Sequence, residues 1–217
     1  MKYGESAFDI IYLLFAVISG IYILCRRRDR VGKLMGSATL ILGCGDAFHL
    51  IPRVLNYFID ADFAVWLGIG KLVTSVTMTV FYVLMYRLWI SAYGRRETKG
   101  LLAAVYGFSL VRIVLCLLPQ NGWLSNDSSV LWGIIRNIPF VMLGVIIVCL
   151  FFKTRKEIGT FRTVWLLVAL SFLFYIPVAV AAPLLPLLGM LMLPKTVCYM
   201  ILIGVFLKYS SRIQIKE

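Results

Sequence analysis

Residues 42–54 read LGCGDAFHLIPRV, and the reading of this stretch decides the fold. It holds the single histidine of the chain, His49, with Asp46 before it and Arg53 after it. Everything around these three groups is apolar or small. The stretch closes an apolar run of about 20 residues, 34–54, the length that crosses a bilayer. Asp46, His49 and Arg53 therefore belong to a transmembrane helix, where their i, i+3 and i+7 spacing puts them on one face.

The whole composition agrees. The 217 residues are 61% hydrophobic and 15% charged, with a mean hydropathy of +0.93, whereas soluble domains carry roughly a quarter charged residues. A single all-α transmembrane domain over residues 1–217 is expected. Its seven spans fall at about 7–25, 34–54, 63–88, 100–118, 130–152, 161–182 and 187–208, each long enough to cross. The division between the last two rests on APLLP, where Pro183 and Pro186 suit a tight turn. The opening MKYGESAFDI lacks the basic segment of a secretory signal, so the first helix is expected to be retained.

The net charge of +12 invites a nucleic-acid reading, but the cations sit in short connections between apolar spans. Arg26, Arg27, Arg28, Arg30 and Lys33 lie in the first connection, and Arg95, Arg96 and Lys99 in the third. Lys153, Arg155, Lys156 and Arg162 flank the fifth, Lys208, Arg212 and Lys216 form the tail, and Arg87 ends helix 3 on the same side. Only Lys2 and Arg53 are allotted to the opposite side. The positive-inside rule then predicts N-out, C-in topology, multi-pass, in the plasma (inner) membrane, with no nucleic-acid partner. The five cysteines all fall within apolar runs without CxxC spacing and predict packing residues.

Lys71, Arg112, Arg136 and Lys195 remain, in helices 3, 4, 5 and 7. At about 1.5 Å per residue each lies roughly 9–13 Å below the outer end of its helix. A charge inside a span costs a few kcal/mol. Each side chain could snorkel to lipid phosphates, or all could face a shared outward-opening cavity. Against them stand Asp46 and, higher up, Glu5 and Asp9, so the level is positive. Positive excess in a membrane is tolerable where water or an anion fills the space. An anionic solute or lipid headgroup is the expected partner, besides the bilayer itself. Candidate ligand-binding residues are Asp46, His49, Arg53, Lys71, Arg112, Arg136, Tyr175, Lys195 and Tyr199.

Polar stripes accompany these residues: Lys71, Thr74, Ser75 and Thr79 on helix 3, Tyr106, Ser109 and Arg112 on helix 4, and Trp132, Arg136 and Phe140 on helix 5. Gly43, Gly45, Pro52, Gly68, Gly70, Pro139, Pro177 and Pro194 lie at the same depth, and are expected to loosen the helices there. Polar stripes also serve as interhelical glue.

AFHLIPRV in helix 2 and FLFYIPVAV in helix 6 both pair an aromatic-rich turn with Ile-Pro. Gly70-Lys71 and Pro194-Lys195 follow at matching distances, which suggests that helices 1–3 and 5–7 are parallel repeats joined by helix 4. This 3+1+3 plan resembles the layout of SWEET-type sugar transporters, PQ-loop carriers and rhodopsin-like proteins. The resemblance is one of topology, over most of the chain. A Pro-Gln pair occurs at Pro119-Gln120, away from the PQ-loop position. Lys195 is similar in place to the retinal lysine of microbial rhodopsins, and Tyr175 to a residue of their pocket. Helix 3, however, offers Lys71, Thr74 and Thr77 where a carboxylate counter-ion would be wanted. No cofactor is expected.

A membrane-embedded lipid-modifying enzyme is the alternative. Seven-helix hydrolases of the ceramidase and progestin-receptor type hold zinc with several histidines, whereas Asp46 and His49 supply at most two ligands. No metal is expected. His49 oriented by Asp46 is a candidate general base, the two being the candidate catalytic residues. Ser75, Ser109 or Ser171 would be the nucleophile, although none sits in a G-x-S-x-G elbow. A structural or assembly role without a ligand is the remaining alternative.

Overall fold

A computed structural model describes residues 2–125, 129–181 and 185–212. Its regular structure is entirely helical: α1 (Lys2–Arg26), α2 (Arg30–Phe58), α3 (Ala64–Tyr93), α4 (Lys99–Leu117), α5 (Val130–Lys153), α6 (Val164–Ala181) and α7 (Met192–Arg212). Short 3-10 turns cover Pro119–Asn121, Gly159–Phe161 and Pro186–Leu191. Among the described residues, seven helices are long and apolar enough to cross a membrane. The expected turn residue Pro183 and the tail cation Lys216 lie outside the described residues.

Several helices overrun their apolar spans. α1 starts at Lys2, α2 covers Arg30–Phe58, and α3 continues to Tyr93. Hydropathy marks only the part of a helix that suits lipid, while local capping decides where the helix stops. Asp29 caps α2, its carboxylate accepting from the Gly32 N–H at 3.4 Å. Gly94, at φ 59°, closes α3 in the left-handed conformation that glycine adopts freely. The sixth helix begins later than expected, at Val164, after the 3-10 turn. The seventh begins at Met192, after Pro186 has opened a second such turn.

The glycines and prolines expected to loosen the helices do not interrupt them. Pro52, Pro139 and Pro177 lie inside continuous helices. Pro194 occupies the first turn of α7, where a missing N–H leaves no bond unmade. The α2–α3 glycines instead permit close approach. A side chain at Gly70 would overlap the Phe48 carbonyl, and one at Gly45 would overlap Thr77. The Thr74 hydroxyl donates across the same seam to the Gly45 carbonyl at 3.0 Å.

The helices pack in chain order, α1 against α2 through to α6 against α7, and α7 closes the ring on α1. α3 also packs on α5, and its Tyr82 and Phe81 reach α7. The end holding Lys2 is called the amino end here and the end holding Arg212 the carboxyl end. The carboxyl half is filled by apolar and aromatic side chains, including Met35, Met85, Tyr86, Phe151, Phe161 and Phe206. At mid-depth Tyr82 meets Phe140 and Phe172 with ring centroids 5.2 and 5.4 Å away. Among the described residues, the buried charged side chains Asp9, Arg112 and Lys195 lie on the amino side of this plug.

Candidate functional site

Arg112 lies on the inward face of α4, at the spacing that also buries Val105, Ser109 and Cys116. It is 2% exposed. Its guanidinium carbon sits 3.4 Å from the centroid of the Phe140 ring on α5. Stacking on an aromatic face offsets part of the cost of burying the charge. It does not satisfy the donors, which lie at the rim of the plane. Nε and Nη1 are buried with no hydrogen-bond partner among the described residues.

Arg136 extends from α5 toward the connection that follows α4. Its Nη1 donates to Asn121 Oδ1 at 2.8 Å, and its guanidinium lies 4.4 Å from the Trp123 ring centroid. Asn121 is itself fixed, donating through Nδ2 to the carbonyls of Leu115 at 2.7 Å and Leu118 at 2.9 Å. The Trp123 indole donates to the Cys116 carbonyl at 2.7 Å. These bonds satisfy backbone acceptors at the end of α4 that have no partner within the helix. A side chain at Gly68 would overlap the Trp123 carbonyl, so the connection also presses against α3.

Lys195 is 9% exposed. Its ammonium lies 4.7 Å from the Tyr175 ring centroid and 5.8 Å from that of Tyr199. The Tyr175 hydroxyl donates to Asn137 Oδ1 at 2.8 Å, and the Tyr199 and Tyr82 hydroxyls share a hydrogen bond of 3.0 Å. The four deep cations form a linked group. Lys71 is within electrostatic range of Arg136, Arg136 of Arg112, and Arg112 of Lys195.

Asp46 lies within range of the Lys195 charge. Its Oδ2 accepts from the Tyr12 hydroxyl at 2.7 Å. Asp9 joins it: placed higher by its position in the sequence, it is close enough to interact with Asp46. α1 begins at Lys2, which makes Asp9 a residue of the third turn rather than of the helix entry. Asp9 is 4% exposed and its Oδ2 has no hydrogen-bond partner among the described residues. Beside it a cleft of about 170 Å³ between α1 and α2 is lined by Ile10, Leu13, Leu50, Ile51, Val54 and Leu55.

Two of the residues picked out from sequence stand apart. Arg53 forms an ion pair with Glu5, whose Oε2 also accepts from the Tyr57 hydroxyl at 2.9 Å. His49 faces the Leu67 carbonyl and lies within range of both Lys71 and Lys195. Its Nδ1 is buried without a partner, and no hydrogen bond joins it to Asp46 among the described residues. The hydroxyls of Ser75, Ser109 and Ser171 donate to carbonyls of their own helices at 2.7, 2.7 and 2.8 Å. An oriented base next to a primed nucleophile is therefore not assembled among these residues. Nor do three of the His, Cys, Asp and Glu side chains come together as a metal would need, among the described residues.

Sequence reasoning missed Tyr12, Asn121 and Trp123. Tyr12 reads as one more apolar residue of a span. QNGW reads as loop, and only Gly122, at φ 61°, hints at the turn that folds Asn121 and Trp123 back over α4. Comparison of the chain with protein-family models, curated proteins and solved structures returned no match.

Proposed function

We propose that the protein binds an anionic solute or lipid headgroup in a basic cavity entered from the amino end, and moves or senses it. In this reading the amino end faces outward and the carboxyl end, with its many cations, faces the cytoplasm. The plan keeps α1–α3 and α5–α7 as parallel repeats joined by α4. Lys71 and Lys195 then occupy matched places on the third helix of each.

The observation that carries the reading is Arg112. A guanidinium 2% exposed, with Nε and Nη1 unpartnered, is an expensive group to keep in a membrane. An oxyanion would supply both the acceptors and the counter-charge. Arg136 and Lys195 are presented to the same region by aromatic rings that are themselves hydrogen-bonded in place. Such support fixes direction without consuming the positive charge. The aromatic plug beyond Tyr82 leaves the amino side as the shorter way in.

The test is binding by protein in lipid nanodiscs, followed through tryptophan fluorescence, since Trp123 lies against Arg136. Sulfate is the probe for a free oxyanion, in discs of phosphatidylcholine alone. Discs containing phosphatidylglycerol are the probe for a headgroup. Saturable quenching by sulfate that phosphatidylglycerol leaves intact assigns a solute, and quenching that it abolishes assigns a lipid phosphate. Arg112→Gln should weaken either by about tenfold, the equivalent of one charge-assisted contact. No saturable response to either probe, or an unchanged affinity in Arg112→Gln and Arg136→Gln, sinks the reading.

A further inference from the structure

We propose that the carboxyl end carries an anion site of its own, in which Arg30, Ser91 and Arg95 hold a phosphate group between α2 and α3. The site is independent of the anion reading at the amino end.

The first turn of α2 and the end of α3 enclose an open cavity of about 450 Å³, within the size range of small-molecule sites. Arg30 and Val31 line it from one side, and Ser91, Gly94 and Arg95 from the other. Local hydrogen bonds fix both walls. Gly94, in the left-handed conformation, donates its N–H to the Ile90 carbonyl. The Arg95 N–H returns to the same carbonyl at 3.1 Å, which turns the chain back over the end of α3. On the opposite wall the Asp29 carboxylate accepts from the Gly32 N–H, and its carbonyl accepts from the Lys33 N–H at 3.0 Å.

The charges around the cavity do not cancel. Asp29 also lines it, but Arg27 answers that carboxylate with a paired contact, Nε to Oδ1 at 2.7 Å and Nη2 to Oδ2 at 2.8 Å. Arg95 is paired with Glu157 through Nη2, and a guanidinium has five N–H donors to offer. Arg30 forms no ion pair among the described residues. Its positive charge is left over. The carbonyl end of α3 opposes it with only about half an elementary charge, and the N–H end of α2 adds a similar positive one.

The Ser91 hydroxyl lines the same cavity, and its Oγ is buried without a hydrogen-bond partner among the described residues. The first N–H groups of α2 have no partner within the helix. Two guanidiniums, a hydroxyl and a helix start are all donors, and together they suit an oxyanion. Arginine forks match phosphate in particular, and its further oxygens accept from the hydroxyl and the Val31 N–H. The apolar run of α3 ends here, followed by Arg95, Arg96 and Lys99, which places the cavity at headgroup level. A lipid phosphate and a free phosphate present the same group to it.

Phenylglyoxal modification of arginines, mapped by mass spectrometry on the full chain in phosphatidylcholine nanodiscs, tests the site. Inorganic phosphate is the probe for the free ion, and discs containing phosphatidylglycerol are the probe for the headgroup. At about ten times the half-protecting level, either should slow modification of Arg30 and Arg95 about tenfold. Arg28 and Arg96, exposed at the same end, should react as before. Protection by phosphate in phosphatidylcholine assigns the free ion, and protection by phosphatidylglycerol alone assigns a lipid. Ser91→Ala alters no charge, and should raise the half-protecting level about fivefold, the equivalent of one hydrogen bond. Protection by neither probe overturns the proposal. So does equal slowing of all four arginines, or an unchanged level in Ser91→Ala, since anions are then drawn to a basic surface and not to this cavity.

Discussion

Tyr12 is a fully buried aromatic residue whose one polar atom reaches a carboxylate on the neighbouring helix. Interhelical hydrogen bonds in membranes average only about 0.6 kcal/mol, but this acceptor is ionisable and partly buried, which raises the cost of leaving it alone. Tyr12→Phe should lower stability by about 1–2 kcal/mol, measured as the midpoint shift of unfolding in mixed micelles. A shift within error would mean that Asp46 finds another donor. Asp29, outside the spans, allows a second residue-scale expectation. The Arg27 guanidinium beside it, helped by the Gly32 N–H, holds its carboxyl below the ordinary range. Its contribution is thus present above the unfolded value of about 3.9, and is lost as pH falls through the lower folded value. Since Asp29 is 45% exposed, the effect is screened by solvent. The carbon-13 shift of its carboxyl should titrate below that of a free aspartate, and Arg27→Gln should move the midpoint back up. An unmoved midpoint would mean that the ion pair is not populated.

At the scale of elements, apolar length was enough to find all seven helices, because crossing a bilayer is a demand that hydropathy measures directly. Where they stop was less legible, since Asp29, Gly94 and Pro186 act through local geometry that an average conceals. Gly45 and Gly70 were visible as glycines, but not as contacts. Their spacing says that something is small, and only the partner helix says why. The consequence can be measured. Gly70→Ala puts a methyl into the Phe48 carbonyl and the His49 backbone, so α2 and α3 must separate. Overpacking of this kind costs about 1–3 kcal/mol. Since the seam positions Lys71 against the rest of the cluster, sulfate affinity should fall together with stability in mixed micelles. Gly107→Ala, at a position with nothing within 4 Å, should change neither. Equal effects of the two substitutions would remove the seam from the argument.

Across the whole molecule, charge is sorted twice. Cations of the first and third connections gather at the carboxyl end, while Asp60 and Asp62 stand in the α2–α3 connection at the amino end. Within the bundle, the deep cations occupy the amino half and the aromatic plug the carboxyl half. The level of Lys71, Arg112, Arg136 and Lys195 could be estimated from sequence, because a helix rises by a fixed amount per residue. Their neighbours could not, because Tyr12–Asp46 and Arg136–Asn121 depend on which faces meet. The two sortings make a joint prediction. If Lys and Arg loops are retained in the cytoplasm, the α2–α3 connection should lie outside, on the side from which the proposed site would be filled. A reporter active only outside the cytoplasm should work when inserted after Asp62 and fail after Arg96. Replacing Arg26, Arg28, Arg30 and Lys33 by Gln should let part of the population invert, because the first connection dominates orientation. A reporter silent after Asp62 and active after Arg96 would reverse the membrane orientation. The cluster would keep its geometry, but its anion would then come from the cytoplasm.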